Sequence, residues 1–297
     1  MKSIILAGGA GSRLYPLTQV SSKQLQAVFD KPMIYYPLTV LMASGLREFC
    51  LISTPIDLPR YKALFGDGSQ WGITIEYREQ PRPDGIAQAF VIAADFIGND
   101  SVVLMLGDNI FSGGDDFPRA VSGFSQGARI FAYHVKDPER YGVVEFDRNG
   151  QAISLEEKPK YPKSSYAVPG VYIYDNDVVE ISHSLRPSAR GELEITDVNL
   201  EYLRRGKLQV KRLSRGFAWL DAGTSGALHE ASAYIEAIER RQGIKIGCPE
   251  EAALTRGFLD IRQFEALIDA MPACDYSAYL RGVAEEWYRL EGAGGER

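Results

Sequence analysis

A glycine-rich segment near the start of the chain has the residue types of a phosphate-binding loop. It reads Leu6-Ala7-Gly8-Gly9-Ala10-Gly11-Ser12-Arg13-Leu14 and follows an apolar run that predicts a buried strand. Glycines let the backbone approach a ligand closely, and exposed N–H groups can bind phosphate oxygens, to which Arg13 can add a bidentate contact. The alternative is a glycine-rich turn beside a surface arginine. The position at the carboxyl end of a strand favours the phosphate site, because open α/β sheets bind ligands there.

Two commoner phosphate motifs do not fit this segment. A dinucleotide-binding fingerprint needs G-x-G-x-x-G, but the residue three positions after Gly11 is Leu14, and the G-K-S/T of a Walker loop is absent. Lys23 lies ten residues after Arg13 and is followed by Gln24. A lone lysine is usually a solvated surface charge, so spacing alone assigns no role to Lys23.

Two aspartates follow short apolar runs that predict strands. Val102–Leu106 is followed by Gly107 and Asp108, and Phe217–Leu220 is followed by Asp221. We therefore expect both carboxylates at the edge of one sheet, where one or two carboxylates can hold Mg²⁺ together with substrate phosphates and waters. A turn or a helix N-cap explains either aspartate as well, and by spacing alone that alternative is favoured.

A second acidic motif, Asp175-Asn176-Asp177, fits the Asp-x-Asp pattern of metal-dependent glycosyltransferases. It lies between a predicted strand and a predicted helix, so we interpret it as a helix cap. The three histidines, His134, His183 and His229, have no metal-ligand spacing, and we expect packing or surface roles for them.

The composition excludes several classes of protein. The 297 residues are 45% hydrophobic and 24% charged with a net charge of -6, so a large core can form but no basic excess is available for a nucleic-acid partner. Cys50, Cys248 and Cys274 are far apart and suggest neither a disulfide nor a metal site, which predicts a cytoplasmic protein. The sequence contains no run of about 18 apolar residues, so no membrane span is expected.

The candidate residues lie between elements that predict an α/β fold. In the first half, strand-like runs alternate with helical segments, which is typical of a mostly parallel, Rossmann-like sheet with helices on both faces. The predicted strands are Ser3–Ala7, Phe49–Ser53, Ile73–Tyr77, Val102–Leu106 and Ala128–Val135, and the predicted helices are Tyr35–Ser44 and Ile86–Phe96. An inserted β-hairpin follows, because Tyr141–Phe146 and Ala152–Glu156 flank an Asn149-Gly150 turn, and Tyr166–Tyr174 predicts one further strand.

The last part of the chain predicts helices only. A long amphipathic helix is expected over Thr224–Gln242, and helical patterns continue from Cys248 onward. We therefore predict an α/β core over residues 1–240 and a small helical C-terminal cap over 241–297, with a frayed tail from Gly292.

Several motifs occur in the order found in one enzyme family. The chain resembles the sugar nucleotidyltransferases, and among them the bacterial enzymes that join dTTP to glucose 1-phosphate. The matching segments are Leu6–Tyr36, Asp67–Gly72, Gln80–Gly85, Leu106–Asn109, Asp137–Gly142, Leu155–Pro159, Arg190–Asp197 and Trp219–Thr224. The chain departs from the family pattern at Ser12, at Gln26-Ala27 and at Ser112–Gly114.

The resemblance implies roles for particular residues. The implied catalytic residues are Arg13, Lys23, Asp108, Lys158 and Asp221, and Asp108 and Asp221 would bind Mg²⁺ as the cofactor. The implied nucleotide-binding residues are Leu6, Gly8, Gly9, Ala10, Gly11, Ser12, Arg13, Gln24, Gln80, Pro81, Asp84, Gly85 and Asp108. The implied sugar-phosphate-binding residues are Asn109, Tyr141, Gly142, Glu157, Lys158 and Val168. The nucleotide-binding part would span about 1–135 and the sugar-phosphate-binding part about 136–225.

The resemblance also implies a reaction and its partners. dTTP and glucose 1-phosphate would be joined into dTDP-glucose, with release of pyrophosphate, by Mg-assisted in-line attack. The family is typically a homotetramer with an inhibitory site for dTDP-sugars at a subunit interface, to which Cys248–Gly257 would contribute. The altered segment Ser112–Gly114 lies next to the region implicated in that regulation.

Three other functions stay open from the sequence. UTP could replace dTTP, since the nucleotides differ by a methyl and a 2′-hydroxyl and discrimination by a methyl is worth about 1–3 kcal/mol. A metal-dependent glycosyltransferase would transfer sugar without releasing pyrophosphate. A nucleotide-sugar sensor would keep the fold without the chemistry, although the intact glycine-rich segment, both aspartates and both lysines argue against it.

Overall fold

Strand β1 and the strands beside it form the centre of the fold. The computed structural model describes residues 1–9 and 11–294, and side chains up to residue 290. Ala10, which was predicted to bind the nucleotide, and residues 295–297 of the predicted frayed tail therefore lie outside the described residues. The backbone is helical through Gly294, and the frayed tail predicted from Gly292 stays a prediction.

The elements have the following bounds. The strands are β1 Lys2–Leu6, β2 Ala27–Val28, β3 Lys31–Pro32, β4 Glu48–Ser53, β5 Thr74–Glu79, β6 Val102–Leu106, β7 Asn109–Ser112, β8 Ala128–His134, β9 Gly142–Phe146, β10 Ala152–Glu157, β11 Tyr166–Ala167, β12 Val171–Tyr174, β13 Leu208–Arg212 and β14 Ala218–Asp221. The helices are α1 Tyr35–Ala43, α2 Leu58–Phe65, α3 Gln88–Ile92, α4 Ala94–Ile97, α5 Asp116–Ser122, α6 Asp177–Ser184, α7 Ile195–Arg204, α8 Ser225–Gln242, α9 Pro249–Thr255, α10 Ile261–Asp269 and α11 Asp275–Gly294.

One large sheet carries the core. Its strand order is β10-β9-β11-β8-β12-β6-β1-β4-β5, and β13 pairs with β8. The neighbours β6, β1, β4 and β5 run parallel, whereas β12 is antiparallel to both β6 and β8. Ile4 and Ile5 are both buried but belong to hydrophobic clusters on opposite faces, because successive side chains of a strand point to opposite sides. The predicted α/β, Rossmann-like fold with helices on both faces is confirmed.

The route that brings the two aspartates together differs from the prediction. We expected Asp221 at the edge of the main sheet, but β14 pairs with β7 in a separate antiparallel ribbon, in which Asp221 lies opposite Asn109. Strand β7, which the sequence analysis missed, begins directly after Asp108. The ribbon therefore places Asp221 beside Asp108 by cross-strand pairing.

Two predicted elements are interrupted. The strand predicted over Tyr166–Tyr174 is divided into β11 and β12, because the segment between them contains Pro169, which has no N–H to donate to a ladder. The helix predicted over Ile86–Phe96 is divided into α3 and α4 at Ala93. The inserted hairpin is confirmed, since β9 and β10 pair antiparallel.

The C-terminal helices contact the core through a buried acidic side chain. Glu250 of α9 is 4% exposed, and its carboxylate accepts hydrogen bonds from Trp71 Nε1 at 3.1 Å and from the Tyr276 hydroxyl at 2.6 Å. Helix α8 crosses the boundary that we placed at residue 240, and the division into core and cap stays a proposal. Among the described helices, none combines the length and the apolar character needed to cross a membrane.

A substitution at Gly170 would test how tightly the sheet packs near Asp108. A Cβ at this position would lie 2.6 Å from Leu106 Cδ1 and 2.9 Å from Leu106 Cβ. We expect Gly170→Ala to lower the free energy of unfolding by about 1–3 kcal/mol, as overpacking of a core does. Urea denaturation measures this. The control is Gly226→Ala in α8, where a Cβ meets nothing within 4 Å, and equal stability of both variants would contradict the expectation.

Candidate active site

The glycine-rich segment forms a tight turn between β1 and a short 3₁₀ helix over Ser12–Leu14. Gly9 and Gly11 have φ values of 109° and 57°, a region that side-chain-bearing residues rarely adopt. Gly8 is needed for space, because a Cβ there would collide with Oε1 of Gln80. The turn brings Arg13 next to Asp221, since a Cβ built on Gly223 would lie 3.1 Å from Arg13 Nη2 and 3.2 Å from Asp221 Oδ1.

Lys23 lies in a second short 3₁₀ turn and is only 6% exposed. The turn is anchored at Ser22, whose hydroxyl is 2.6 Å from the Tyr61 hydroxyl. Lys23 Nζ donates to Asp108 Oδ2 at 2.5 Å and lies 3.9 Å from Asp221 Oδ1. The buried ammonium group therefore bridges the two predicted metal-binding carboxylates, which the lone-lysine alternative did not anticipate.

Asn109 fixes the other side of Asp108. Its Nδ2 donates to Asp108 Oδ1 at 2.8 Å, and its Oδ1 accepts from the Gly170 N–H at 3.0 Å and from Trp219 Nε1 at 2.7 Å. Asn109 is 4% exposed. Its amide therefore orients Asp108, a contact that the predicted role in sugar-phosphate binding does not include.

The Asp221 carboxylate is crowded by charge. Burial and the nearby Asp108 carboxylate raise the pKa of Asp221 above its ordinary value. The cations of Lys23, Arg13 and Arg140 oppose this increase without cancelling it. A further positive charge beside the two aspartates would therefore be favourable.

Two cavities meet at this charged centre. The phosphate cavity, about 260 Å³, is lined by Gly8, Gly9, Gly11, Ser12, Arg13, Lys23, Gln24, Asp108 and Gly223. The sugar cavity, about 180 Å³, is lined on one side by Asp108, Asn109, Arg140 and Asp221 and on the other by Tyr141, Gly142, Glu157, Lys158, Val168 and Thr196. Arg13 and Asp108 line both cavities, so the two cavities are adjacent.

The far side of the sugar cavity is centred on Glu157. Its Oε2 accepts from the Thr196 hydroxyl at 2.6 Å, and its Oε1 lies 3.4 Å from Arg190 Nη2 and 3.6 Å from Lys158 Nζ. The backbone N–H of Lys158 donates to Tyr141 at 3.0 Å. This side of the cavity thus holds the carboxylates of Glu157, Glu192 and Glu194 together with two cations, of which Arg190 donates to Glu194 Oε2 at 2.7 Å.

The predicted nucleotide-binding residues Gln80 and Gly85, whose positions in the resembled family contact the pyrimidine base, lie near Gly8 but outside both cavities. Gln80 Nε2 donates to Gln88 Oε1 at 2.7 Å, and Gln88 in turn donates to Asp84 at 3.1 Å. Gly85 packs against the backbone of Leu193 so closely that a Cβ would not fit. Five of the predicted nucleotide-binding residues are therefore absent from the described linings of both cavities: Leu6, Gln80, Pro81, Asp84 and Gly85.

The other acidic motif makes structural hydrogen bonds, although Asn176 at the N-cap of α6 makes no side-chain capping hydrogen bond. Asp175 accepts hydrogen bonds from the Tyr202 hydroxyl at 2.6 Å, from the Gly127 N–H at 2.7 Å and from the Asp177 N–H at 3.2 Å. Its carboxylate therefore stabilises the start of α6 and its surroundings. Among the described linings of the two cavities there is no histidine.

Several residues that line the sugar cavity received no role from the sequence, and four of them are polar or aromatic side chains within the matching motifs: Arg140, Arg190, Thr196 and Trp219. All four lie within segments that carried the family resemblance, and that placement was the available signal. The distances that join Arg140 to Asp221 and Thr196 to Glu157 depend on the fold, because these residues are far apart in the chain.

Comparison with known proteins identifies relatives over almost the whole chain. The nucleotidyl transferase family matches residues 2–238. A glucose-1-phosphate thymidylyltransferase of Mycobacterium tuberculosis is 54% identical over 288 residues, covering 96% of this chain and 99% of that protein. A protein of the same name from Xanthomonas campestris pv. campestris is 51% identical over 286 residues, covering 96% and 97%.

Solved structures are similar in fold. A proposed glucose-1-phosphate thymidylyltransferase from Bacillus anthracis, in complex with a sucrose, is 44% identical, with a TM-score of 0.74 over 79% of this chain and 94% of that chain. A UDP-glucose pyrophosphorylase complexed with UDP-glucose has a TM-score of 0.70 over 81% of this chain and 99% of its own, but at 21% identity it shows the fold alone.

The crowding of charge at Asp221 predicts a gain in stability when that charge is removed. Because the pKa of Asp221 is raised in the folded state, its ionisation opposes folding, and wild-type stability should fall as pH rises from the unfolded pKa through the folded one. We expect Asp221→Asn, melted with EDTA present, to be at least as stable as wild type near pH 7, with any gain disappearing at lower pH. Asp269→Asn, at an exposed surface pair, is the control, and a clear loss of stability at Asp221→Asn alone would contradict this.

Proposed function

This chain belongs to the nucleotidyl transferase family, and from that premise we propose that it transfers a thymidylyl group from dTTP to α-D-glucose 1-phosphate, giving dTDP-glucose and pyrophosphate. The observation that carries the proposal is the meeting of two cavities at Arg13 and Asp108, with Lys23 bridging Asp108 and Asp221. One cavity has a glycine-rich wall suited to a triphosphate, and the other has a carboxylate and cations suited to a sugar phosphate.

The chemistry needs positioning more than proton transfer. A phosphate oxygen of glucose 1-phosphate attacks the α-phosphorus of dTTP and forms the new P–O bond. The bond from that phosphorus to the bridging oxygen breaks, and pyrophosphate leaves with the electron pair. A phosphate oxygen is already nucleophilic, so no strong general base is required, and catalysis consists mainly of alignment and stabilisation of charge.

The cations of the chain have distinct places in this reaction. Arg13 and Lys23 line the phosphate cavity, where they would stabilise charge on the departing pyrophosphate. Lys158 and Arg190 lie at the sugar cavity beside Glu157, where they would hold the attacking phosphate. Glu157 would accept hydrogen bonds from the sugar hydroxyl groups. Gln80 has the amide that pairing with the thymine edge requires.

The two aspartates suit a divalent cation, for which we propose Mg²⁺. Lys23 lies within 3.9 Å of both carboxylates, so Asp108 and Asp221 are close enough to share one ion. No cluster of three or more metal-binding side chains is present among the described residues, which fits Mg²⁺ because that ion is usually held by one or two carboxylates plus substrate phosphates. When bound, the cation would neutralise phosphate charge and help to align the substrates.

The other functions have less support. The names of the relatives favour dTTP over UTP, and the UDP-glucose pyrophosphorylase is similar in fold only. The Asp-x-Asp motif that would favour a glycosyltransferase is engaged in structural hydrogen bonds at Asp175. A sensor without chemistry has no need for Lys23 buried between two carboxylates.

The direct test is pyrophosphate release across a grid of nucleotides and hexose 1-phosphates. We expect turnover with dTTP and glucose 1-phosphate, dependence on Mg²⁺, and a lower kcat/KM with UTP. Turnover with UTP that exceeds turnover with dTTP would overturn the assignment of the base. Sugar transfer without pyrophosphate would favour a glycosyltransferase, and no pyrophosphate with any nucleotide would favour a sensor.

Variants of the charged centre serve as controls in that assay. Asp108→Asn, Asp221→Asn and Arg13→Ala should each lower kcat by about 10²-fold or more, as removal of a preorganised charge contact does. Asp269→Asn, at an exposed pair with Arg281, should behave like wild type. Unchanged turnover of the active-site variants, with normal melting curves, would refute their proposed roles.

We further propose a homotetramer that resides in the cytoplasm and is inhibited by dTDP-sugars at a subunit interface. The three cysteines are free, as reducing conditions require. A cavity of about 420 Å³ beside α1 and the end of α8 supports the inhibitory site. It is lined by Ser112 and Gly113 of the altered segment and by Gly247, which directly precedes Cys248–Gly257 in the chain.

This regulation predicts a particular pattern of inhibition. dTDP-rhamnose should inhibit even when both substrates are saturating, because its site is separate from the active site. Ser112→Trp should fill the cavity and weaken that inhibition without changing kcat. Steady-state kinetics measure the inhibition, and light scattering measures the oligomeric state. Purely competitive inhibition or a monomer in solution would contradict the proposal.

A further inference from the structure

Arg140 and Lys23 lie near different oxygens of the Asp221 carboxylate. Arg140 Nη2 lies 3.7 Å from Asp221 Oδ2, whereas Lys23 Nζ lies 3.9 Å from Asp221 Oδ1. At 3.7 Å the guanidinium attracts the carboxylate but makes no hydrogen bond with it. The two charges are therefore paired loosely, at a centre where Lys23 and Asp108 are paired tightly.

The rest of the Arg140 side chain is held firmly. Arg140 ends a 3₁₀ turn that begins at Pro138, and its Nη1 donates to Asp137 Oδ2 at 2.6 Å. Its guanidinium carbon lies 5.3 Å from the ring centroid of Tyr141, whose ring packs 4.9 Å from that of Trp219. Asp137 and Tyr141 thus place the cation while its second nitrogen remains directed toward Asp221.

Arg140 also has donors to spare. A guanidinium group has five N–H donors in a planar fork, which matches the oxygens of a phosphate. In the part of the chain that the structure describes, the guanidinium makes one hydrogen bond, to Asp137. Arg140 lines the sugar cavity together with Lys158 and Arg190, where the attacking phosphate of the proposed reaction would lie.

We propose that Arg140 is a further catalytic residue, which neutralises Asp221 in the free protein and binds the sugar-side phosphate once a divalent cation has taken its place at Asp221. This inference rests on the proposed function. Arg140 competes with the cation for Asp221 but cooperates with it in binding substrate, because both supply positive charge to the same phosphate. The two roles have opposite effects on affinity, and a purely structural role does not.

The test measures two affinities of Arg140→Gln without turnover. Binding of Mn²⁺ alone, followed by electron paramagnetic resonance, should become severalfold tighter, since Asp221 has lost a competing cation. Binding of dTDP-glucose at a saturating concentration of Mg²⁺, followed by calorimetry, should become about tenfold weaker, which corresponds to about 1.4 kcal/mol. Arg140→Lys keeps the charge without the fork, and it should bind Mn²⁺ like wild type and dTDP-glucose with intermediate affinity.

Arg204→Gln is the matched control, because Arg204 forms an exposed surface pair with Glu201 at the same sequence spacing as Arg140 with Asp137. It should leave both affinities unchanged. If Arg140→Gln weakens both ligands, Arg140 merely supports Asp221, and if it alters neither, the residue has no role in binding; either result overturns the inference. Wild-type protein that binds no dTDP-glucose would overturn the proposed function as well, which distinguishes the two failures.

Discussion

The interaction on which the site depends is the bridge from Lys23 to Asp108 and Asp221. Two carboxylates that share a partly buried centre repel each other, and at about 4 Å two unit charges interact by roughly 4 kcal/mol at the effective dielectric constant near a protein surface. Lys23 Nζ lies 2.5 Å from Asp108 and 3.9 Å from Asp221, so it offsets that repulsion in the free protein. The fold must therefore deliver three charged side chains from distant parts of the sequence to one point.

Buried polar contacts hold the elements that deliver them. The turn carrying Lys23 continues into the β2–β3 hairpin, where Lys31 Nζ donates to Glu239 Oε1 of α8 at 3.1 Å and to the Ile246 carbonyl at 2.9 Å. Lys31 and Glu239 are 5% and 6% exposed, and they belong to a small ionic network, because Lys31 also contacts Asp30 and Lys245 Nζ lies 3.1 Å from Glu239 Oε2. Because α8 begins just after Asp221, this pair ties the Lys23 segment to the Asp221 segment.

The sequence predicts the fold better than it predicts the site. Runs such as Val102–Leu106 are recognisable as strands because apolar continuity and flanking glycines are local signals. The β7–β14 ribbon was missed, and with it the way Asp221 reaches Asp108, because strand pairing across about a hundred residues leaves no local signal. The same reason explains why Arg140 and Thr196 received no role, although the motifs around them were recognised. Asn109 was predicted as a ligand of the sugar phosphate, and its orientation of Asp108 became visible only in three dimensions.

The pairing of several site cations with carboxylates bears on how a chain of net charge -6 could bind anionic ligands selectively. Lys23 is paired with Asp108, and Lys158 and Arg190 lie beside Glu157. A phosphate that enters the site must compete with these carboxylates for the cations, so a simple anion gains little binding free energy. In the proposed reaction, a nucleotide that arrives with a divalent cation would relieve the aspartates at the same time, and a sugar would offer hydroxyl donors to Glu157. The site thus favours ligands that bring both phosphate and a partner for the displaced carboxylate.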